Sequence, residues 1–99
     1  MCGAPGQDIA LPADTDLTKQ TVLAGRVVAG GRPVGGAYVR LLDGTGEFTA
    51  EVVSAASGDF RFFAAPGTWT VRALSRSGNG AAVLTADGPG LHHTEIAVA

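Results

Sequence analysis

A single cysteine, Cys2, stands between Met1 and Gly3 at the start of the chain. With the initiator methionine removed, its thiol would lie beside a free α-amino group. That positive charge lowers a thiol's pKa and raises the fraction of thiolate, the form that attacks disulfides and persulfides. Gly3, Pro5 and Gly6 follow, so the thiol would be presented on an arm. Cys2 is therefore the candidate sulfur carrier, and the competing reading is an incidental exposed thiol. One cysteine forms no internal disulfide and there is no Cys-x-x-Cys pair to hold a metal. The two histidines, His92 and His93, are adjacent. Neighbouring residues of a strand point to opposite faces, so the pair does not converge on one ion. Ser, His and Asp all occur, but not the Gly-x-Ser-x-Gly elbow that strains a serine into a nucleophile. The Gly30-Gly31 and Gly35-Gly36 pairs flank Pro33 with no helix after them, which makes them turns and not a phosphate cradle. The expectation is a chain without catalytic residues, metal or cofactor.

The elements that would position these groups are short strands. Residues 58–73 write two of them around Pro66-Gly67, and they contain the only Trp and three of the four Phe. Phe60 and Phe62 share a face, as do Trp69, Val71 and Ala73, while Arg61, Thr70 and Arg72 fall opposite. A two-residue period is that of a half-buried strand, and each large aromatic can bury ~150–250 Å². Residues 21–28 alternate Leu23, Gly25 and Val27 against Val22, Arg26 and Val28. Residues 37–42 set Ala37, Val39 and Leu41 against Tyr38, Arg40 and Leu42, and residues 47–54 set Phe48, Ala50 and Val52 against Thr49, Glu51 and Val53. Residues 81–85 make a short, weak strand and residues 91–98 a last one, giving seven in all. Asp43-Gly44-Thr45-Gly46, Ser57-Gly58-Asp59, Ser77-Gly78-Asn79-Gly80 and Asp87-Gly88-Pro89-Gly90 break the runs. Turn signals about every ten residues without helical periodicity predict an all-β sandwich. Linkers this short predict antiparallel pairing.

At 99 residues the chain is long enough for one domain, and a domain of this size buries only ~60–65% of the surface its unfolded chain exposes. Residues 1–20 read as an arm, flexible or docked, and residues 21–99 as the sandwich. Seven basic against nine acidic residues give a formal charge of −2, unlike the basic surface that phosphate backbones select, so nucleic acid is not an expected partner. No run approaches the ~20 apolar residues of a membrane span, and the first residues have neither a basic start nor an apolar stretch. A cytoplasmic location is expected.

Alternation also places Val22, Val28, Tyr38, Leu42, Val53, Phe63 and Leu74 on faces meant for solvent. Either the arm or a second subunit covers part of an outer sheet. The self-association reading assigns Tyr38, Leu42 and Phe63 to one such surface.

The run Leu-Ala-Gly-Arg-Val-Val, with Arg-Pro-Val-Gly-Gly-Ala-Tyr-Val-Arg-Leu, Ser-Gly-Asp-Phe-Arg-Phe and Pro-Gly-Thr-Trp-Thr-Val after it, resembles the carboxypeptidase regulatory-like domains. That resemblance implies a prealbumin-like, seven-stranded Greek-key sandwich serving as an accessory or binding module. The runs Met-Cys, Val-Gly-Gly-Ala-Tyr-Val-Arg-Leu-Leu-Asp, Glu-Phe-Thr-Ala-Glu-Val-Val and Gly-Asp-Phe-Arg-Phe-Phe-Ala-Ala-Pro-Gly-Thr-Trp-Thr are similar to a small actinobacterial family encoded beside thiosulfate sulfurtransferase genes. This second resemblance implies a link to sulfur metabolism and a sulfurtransferase partner. Hydroxyisourate hydrolases share the prealbumin fold but close with Tyr-Arg-Gly-Ser, whereas this chain ends Glu-Ile-Ala-Val-Ala. That activity is not expected.

Overall fold

Period-two patterning runs through nearly every element of the structure, a computed structural model that describes residues 15–99. Among the described residues eight strands occur, in the order β1 (Thr21–Ala29), β2 (Arg32–Pro33), β3 (Tyr38–Leu42), β4 (Phe48–Val53), β5 (Asp59–Phe63), β6 (Gly67–Ser75), β7 (Gly78–Ala86) and β8 (Gly90–Ala97). They form two sheets. In one, β1 is central, with β8 along one side and β5 and the two-residue β2 along the other. The second runs β4-β3-β6-β7. The chain crosses between sheets at β2–β3, β4–β5, β5–β6 and β7–β8, so the two inner faces share one core, as predicted for an all-β Greek-key sandwich.

That core joins Leu23, Val27, Phe60, Phe62, Ile96 and Val98 of the first sheet to Ala37, Val39, Leu41, Val52, Val71, Ala73 and Ala86 of the second. The Phe60 and Phe62 rings tilt against each other at 6.1 Å between centroids, a separation favoured for aromatic pairs. Trp69 packs against the rim of the core while its Nε1–H donates to the Ala65 carbonyl at 2.9 Å. This bond ties β6 to the Pro66-Gly67 corner, where Gly67 takes a φ of 151°. The buried Ser54 hydroxyl donates to the Val34 carbonyl at 2.7 Å and accepts from the Ala37 amide at 3.0 Å, pinning the β2–β3 link to the end of β4.

Four features depart from the sequence expectations. The seven expected strands become eight: Gly30 and Gly31 both have positive φ, as a two-residue hairpin turn requires, and they fold Arg32–Pro33 back onto Ala29 and Val28 as an added short strand. The strand expected at residues 81–85 is nine residues long and pairs with β6 from Gly67↔Ala86 to Ser75↔Gly78, so the turn is only Arg76-Ser77. Phe48, expected inside, is 62% exposed, because the register shifts between Leu41 and Leu42 and sets Phe48 opposite the outward Leu42. Finally, β1 and β8 pair in parallel over Thr21↔Gly90 to Val28↔Ala97. Short linkers forbid parallel pairing only between sequence neighbours, and here the rest of the sandwich is the connection.

Candidate functional site

The outer face of the β8-β1-β5 sheet carries a banded surface set by strand register. Val22 pairs with Phe63 on one side and Leu91 on the other. Val22 is fully buried, whereas Phe63 and Leu91 are 50% and 51% exposed. All three point away from the core, because Leu23, Phe62 and His92, their chain neighbours, point towards it. The next band sets Ala24 between Arg61 and His93, and the one after it sets Arg26 between Asp59 and Glu95. Arg26 Nε lies 3.7 Å from Asp59 Oδ1. An open hollow of about 480 Å³ borders Phe63, lined by Lys19, Gln20, Thr21, Ala64, Ala65 and Pro66. The Phe63–Val22–Leu91 band at one end of this face is thus apolar, borders a hollow of mixed polarity beside Phe63, and grades into charge within two residues along each strand.

The outer face of the other sheet is organised differently. Tyr38 stands between Val53 and Leu74, and Leu42 between Phe48 and Thr70. Between these bands lies Glu51-Arg40-Arg72, with Arg40 Nε 2.6 Å from Glu51 Oε2. Charge separates Tyr38 from the row Phe48-Leu42-Thr70-Val83, and within that row the polar Thr70 stands between Leu42 and Val83.

The self-association set is therefore divided. Tyr38 and Leu42 lie on β3 and Phe63 on β5, on opposite outer faces of the sandwich, so one sheet surface does not contain all three. Alternation places each residue outward but does not say on which sheet. Cys2 lies outside the described residues, as does most of the expected arm. The histidines point to opposite faces, as adjacency predicts: His92 Nε2 is 2.9 Å from the Gly88 carbonyl oxygen, and His93 is exposed on the outer face. Leu91, now a central member of the surface, was legible as an outward residue, but only register brings it beside Val22 and Phe63.

Two carboxylates have a defined setting. Thr45 Oγ1 donates to Asp43 Oδ1 at 2.6 Å, and the Thr45 and Glu47 amides donate to the same oxygen at 2.8 and 3.1 Å. These bonds, led by the Thr45 hydroxyl, hold the Asp43 carboxyl below the usual carboxylate range. Asp16 is lowered in the same way by the hydroxyl and amide of Thr18. Both are turn locks, each closing a loop on its own backbone.

A two-sheet β-sandwich with this apolar outer band defines the class of molecule. The chain belongs to the family described as "Protein of unknown function (DUF1416)", whose profile matches residues 2–98. It is 60% identical over 99 residues to the uncharacterized proteins Rv0814c and Rv3118 of Mycobacterium tuberculosis, with 99% of each chain covered. An uncharacterized protein of Mycolicibacterium smegmatis is 63% identical over 90 residues, covering 90% of this chain and 100% of that one. Among solved structures, a DUF3823 family protein from Parabacteroides merdae superposes with a TM-score of 0.63 at 13% identity. The match covers 82% of this chain and 46% of that one, so the chain spans about half its length. The dioxygenase domain of a dioxygenase carbohydrate-binding protein fusion from a cellulolytic Streptomyces superposes with a TM-score of 0.53 at 11% identity, covering 99% of this chain and 90% of that domain. At such identities these two likenesses concern the fold alone.

Proposed function

We propose that the chain is a non-catalytic binding module whose outer β8-β1-β5 face docks a thiosulfate sulfurtransferase. The observation that carries this reading is the Phe63–Val22–Leu91 band, which leaves two large apolar side chains half exposed with no charge between them. An apolar centre graded into a polar rim is the anatomy of a protein–protein contact, and Arg61, His93, Arg26, Asp59 and Glu95 supply the rim. The class of partner comes from the resemblance of the Gly-Asp-Phe-Arg-Phe-Phe and companion runs to proteins encoded beside sulfurtransferase genes. The surface comes from the register of β5, β1 and β8. Calorimetric titration of the sulfurtransferase with this protein tests it: saturable binding is expected, weakened at least tenfold by Phe63→Glu or Leu91→Glu, each at a half-exposed position of the outer face. A titration without heat or saturation removes the reading.

Cys2 favours a second role alongside docking, since it is the only thiol of the chain. Its thiolate would attack the outer sulfur of the enzyme's persulfide, forming an S–S bond on Cys2 and releasing the enzyme's own thiolate.

A further inference from the structure

The free edges of the two sheets differ in how they are protected. A sheet edge offers unpaired N–H and C=O groups, and proteins blunt it with charge, proline, a bulge or brevity. Here β5 is five residues long and carries Arg61, β2 contains Pro33, β8 carries Glu95 and two histidines, and β4 carries Glu51 beside a register shift. By contrast β7, Gly-Asn-Gly-Ala-Ala-Val-Leu-Thr-Ala, has nine residues with no charge, no proline and no register shift, and Val83 on it is 68% exposed.

The backbone phase of β7 follows from its hairpin. Ser75 and Gly78 close the two-residue turn, so their backbone groups face each other, and those of every second residue of β7 from Asn79 face away from β6. The Ala99 amide takes the outward Asn79 carbonyl at 3.2 Å, which confirms this phase and covers that end of the edge. Ala81, Val83 and Thr85 are left with outward amides and carbonyls, with β6 the only strand that β7 pairs with among the described residues.

We infer that this edge is the self-association site of the protein, two copies of β7 pairing antiparallel about a two-fold axis at Val83. That register uses every outward group of Ala81, Val83 and Thr85: Val83 pairs with Val83 of the second copy, and Ala81 with Thr85. A shift centred on Ala82 would set Thr85 against the occupied Asn79. The side chains brought together, Val83 with its own copy and Ala81 with Thr85, include no like charges. The first charged residues beyond the strand are Arg76 at one end and Asp87 at the other. Antiparallel pairing brings the Arg76 end of each copy towards the Asp87 end of the other. The two four-stranded sheets would join into one continuous sheet, leaving the Phe63 face free on both copies.

Val83 offers a clean test, because its amide points away from β6 and serves only the intermolecular ladder. Sedimentation velocity at about 100 µM chain should show a dimer, with the amides of Ala81, Val83 and Thr85 protected from exchange. Val83→Pro removes the bridging donor and Val83→Lys sets like charges across the axis; both should yield folded monomers with these amides, where present, exchanging freely. Should the proline variant fail to fold, the lysine variant decides. A monomeric wild type overturns the inference, and so does a dimer that survives Val83→Lys or dissociates instead on Phe63→Glu with the β7 amides unprotected throughout.

Discussion

Gly25 on β1 and Phe60 on β5 sit directly opposite each other, and the Phe60 ring occupies the space a side chain at Gly25 would need. A Cβ built on Gly25 would come within 2.6 Å of Phe60 Cζ and would also collide with the Thr94 carbonyl oxygen on β8. The absent side chain lets one of the three phenylalanines of β5 lie across the central strand.

Gly25→Ala should therefore destabilise the domain by about 1–3 kcal/mol, the usual cost of forcing added volume into a packed site. Urea denaturation reads it directly. A variant as stable as the wild type would mean that the ring does not lie over Gly25.

Phe62→Ala tests the same core from the opposite direction. Phe62 is 5% exposed and belongs to the cluster that joins the sheets. Truncation should cost about 3–5 kcal/mol, a large share of the ~5–15 kcal/mol of a small domain. A loss below about 1 kcal/mol would place Phe62 outside the core.

The Asp43 loop predicts a pH response. Because its carboxyl is held below the ordinary range in the folded state, the stabilisation it gives is fully present above that range. It is lost as pH falls through the lowered folded value. Carbon-detected NMR should find Asp43 titrating below the same residue in a short peptide, and Thr45→Val should raise its midpoint by removing the hydroxyl donor. Equal midpoints in protein and peptide would contradict the loop geometry.

Much of the sandwich was readable from alternation, because one buried face forces a period of two on Leu23/Gly25/Val27, Val39/Leu41, Phe60/Phe62 and Val71/Ala73. What alternation omits is which strands are neighbours. Tyr38 and Phe63 both face outward, yet on opposite sides of the molecule, and Leu91 acquires its meaning only beside Val22. Gly78 and Gly80 illustrate a different failure. They resemble a turn, but in β7 they make room for the end of β8: a Cβ on Gly78 would strike Ala99, and one on Gly80 the Ala97 carbonyl. Glycine in a strand can mark such close backbone approach, and composition does not distinguish it from a bend.

Cys2 makes a separate chemical prediction. Incubation with thiosulfate and the sulfurtransferase should add about 32 Da, one sulfur atom, to the intact chain. Cys2→Ser should abolish the addition while leaving the circular dichroism unchanged. An unmodified wild-type chain would remove the carrier role and leave docking as it stands.

The most direct test of the docking account is a hydrogen-exchange footprint of the complex with the sulfurtransferase. Slowed exchange should appear in Asp59–Phe63 and Gly90–Ala97 and around Thr21–Val22, the strands that carry Phe63, Leu91 and Val22, while Tyr38–Leu42 and Phe48–Val53 exchange as in the free protein. Protection confined to β3 and β4, or no change anywhere on the sandwich, would contradict it.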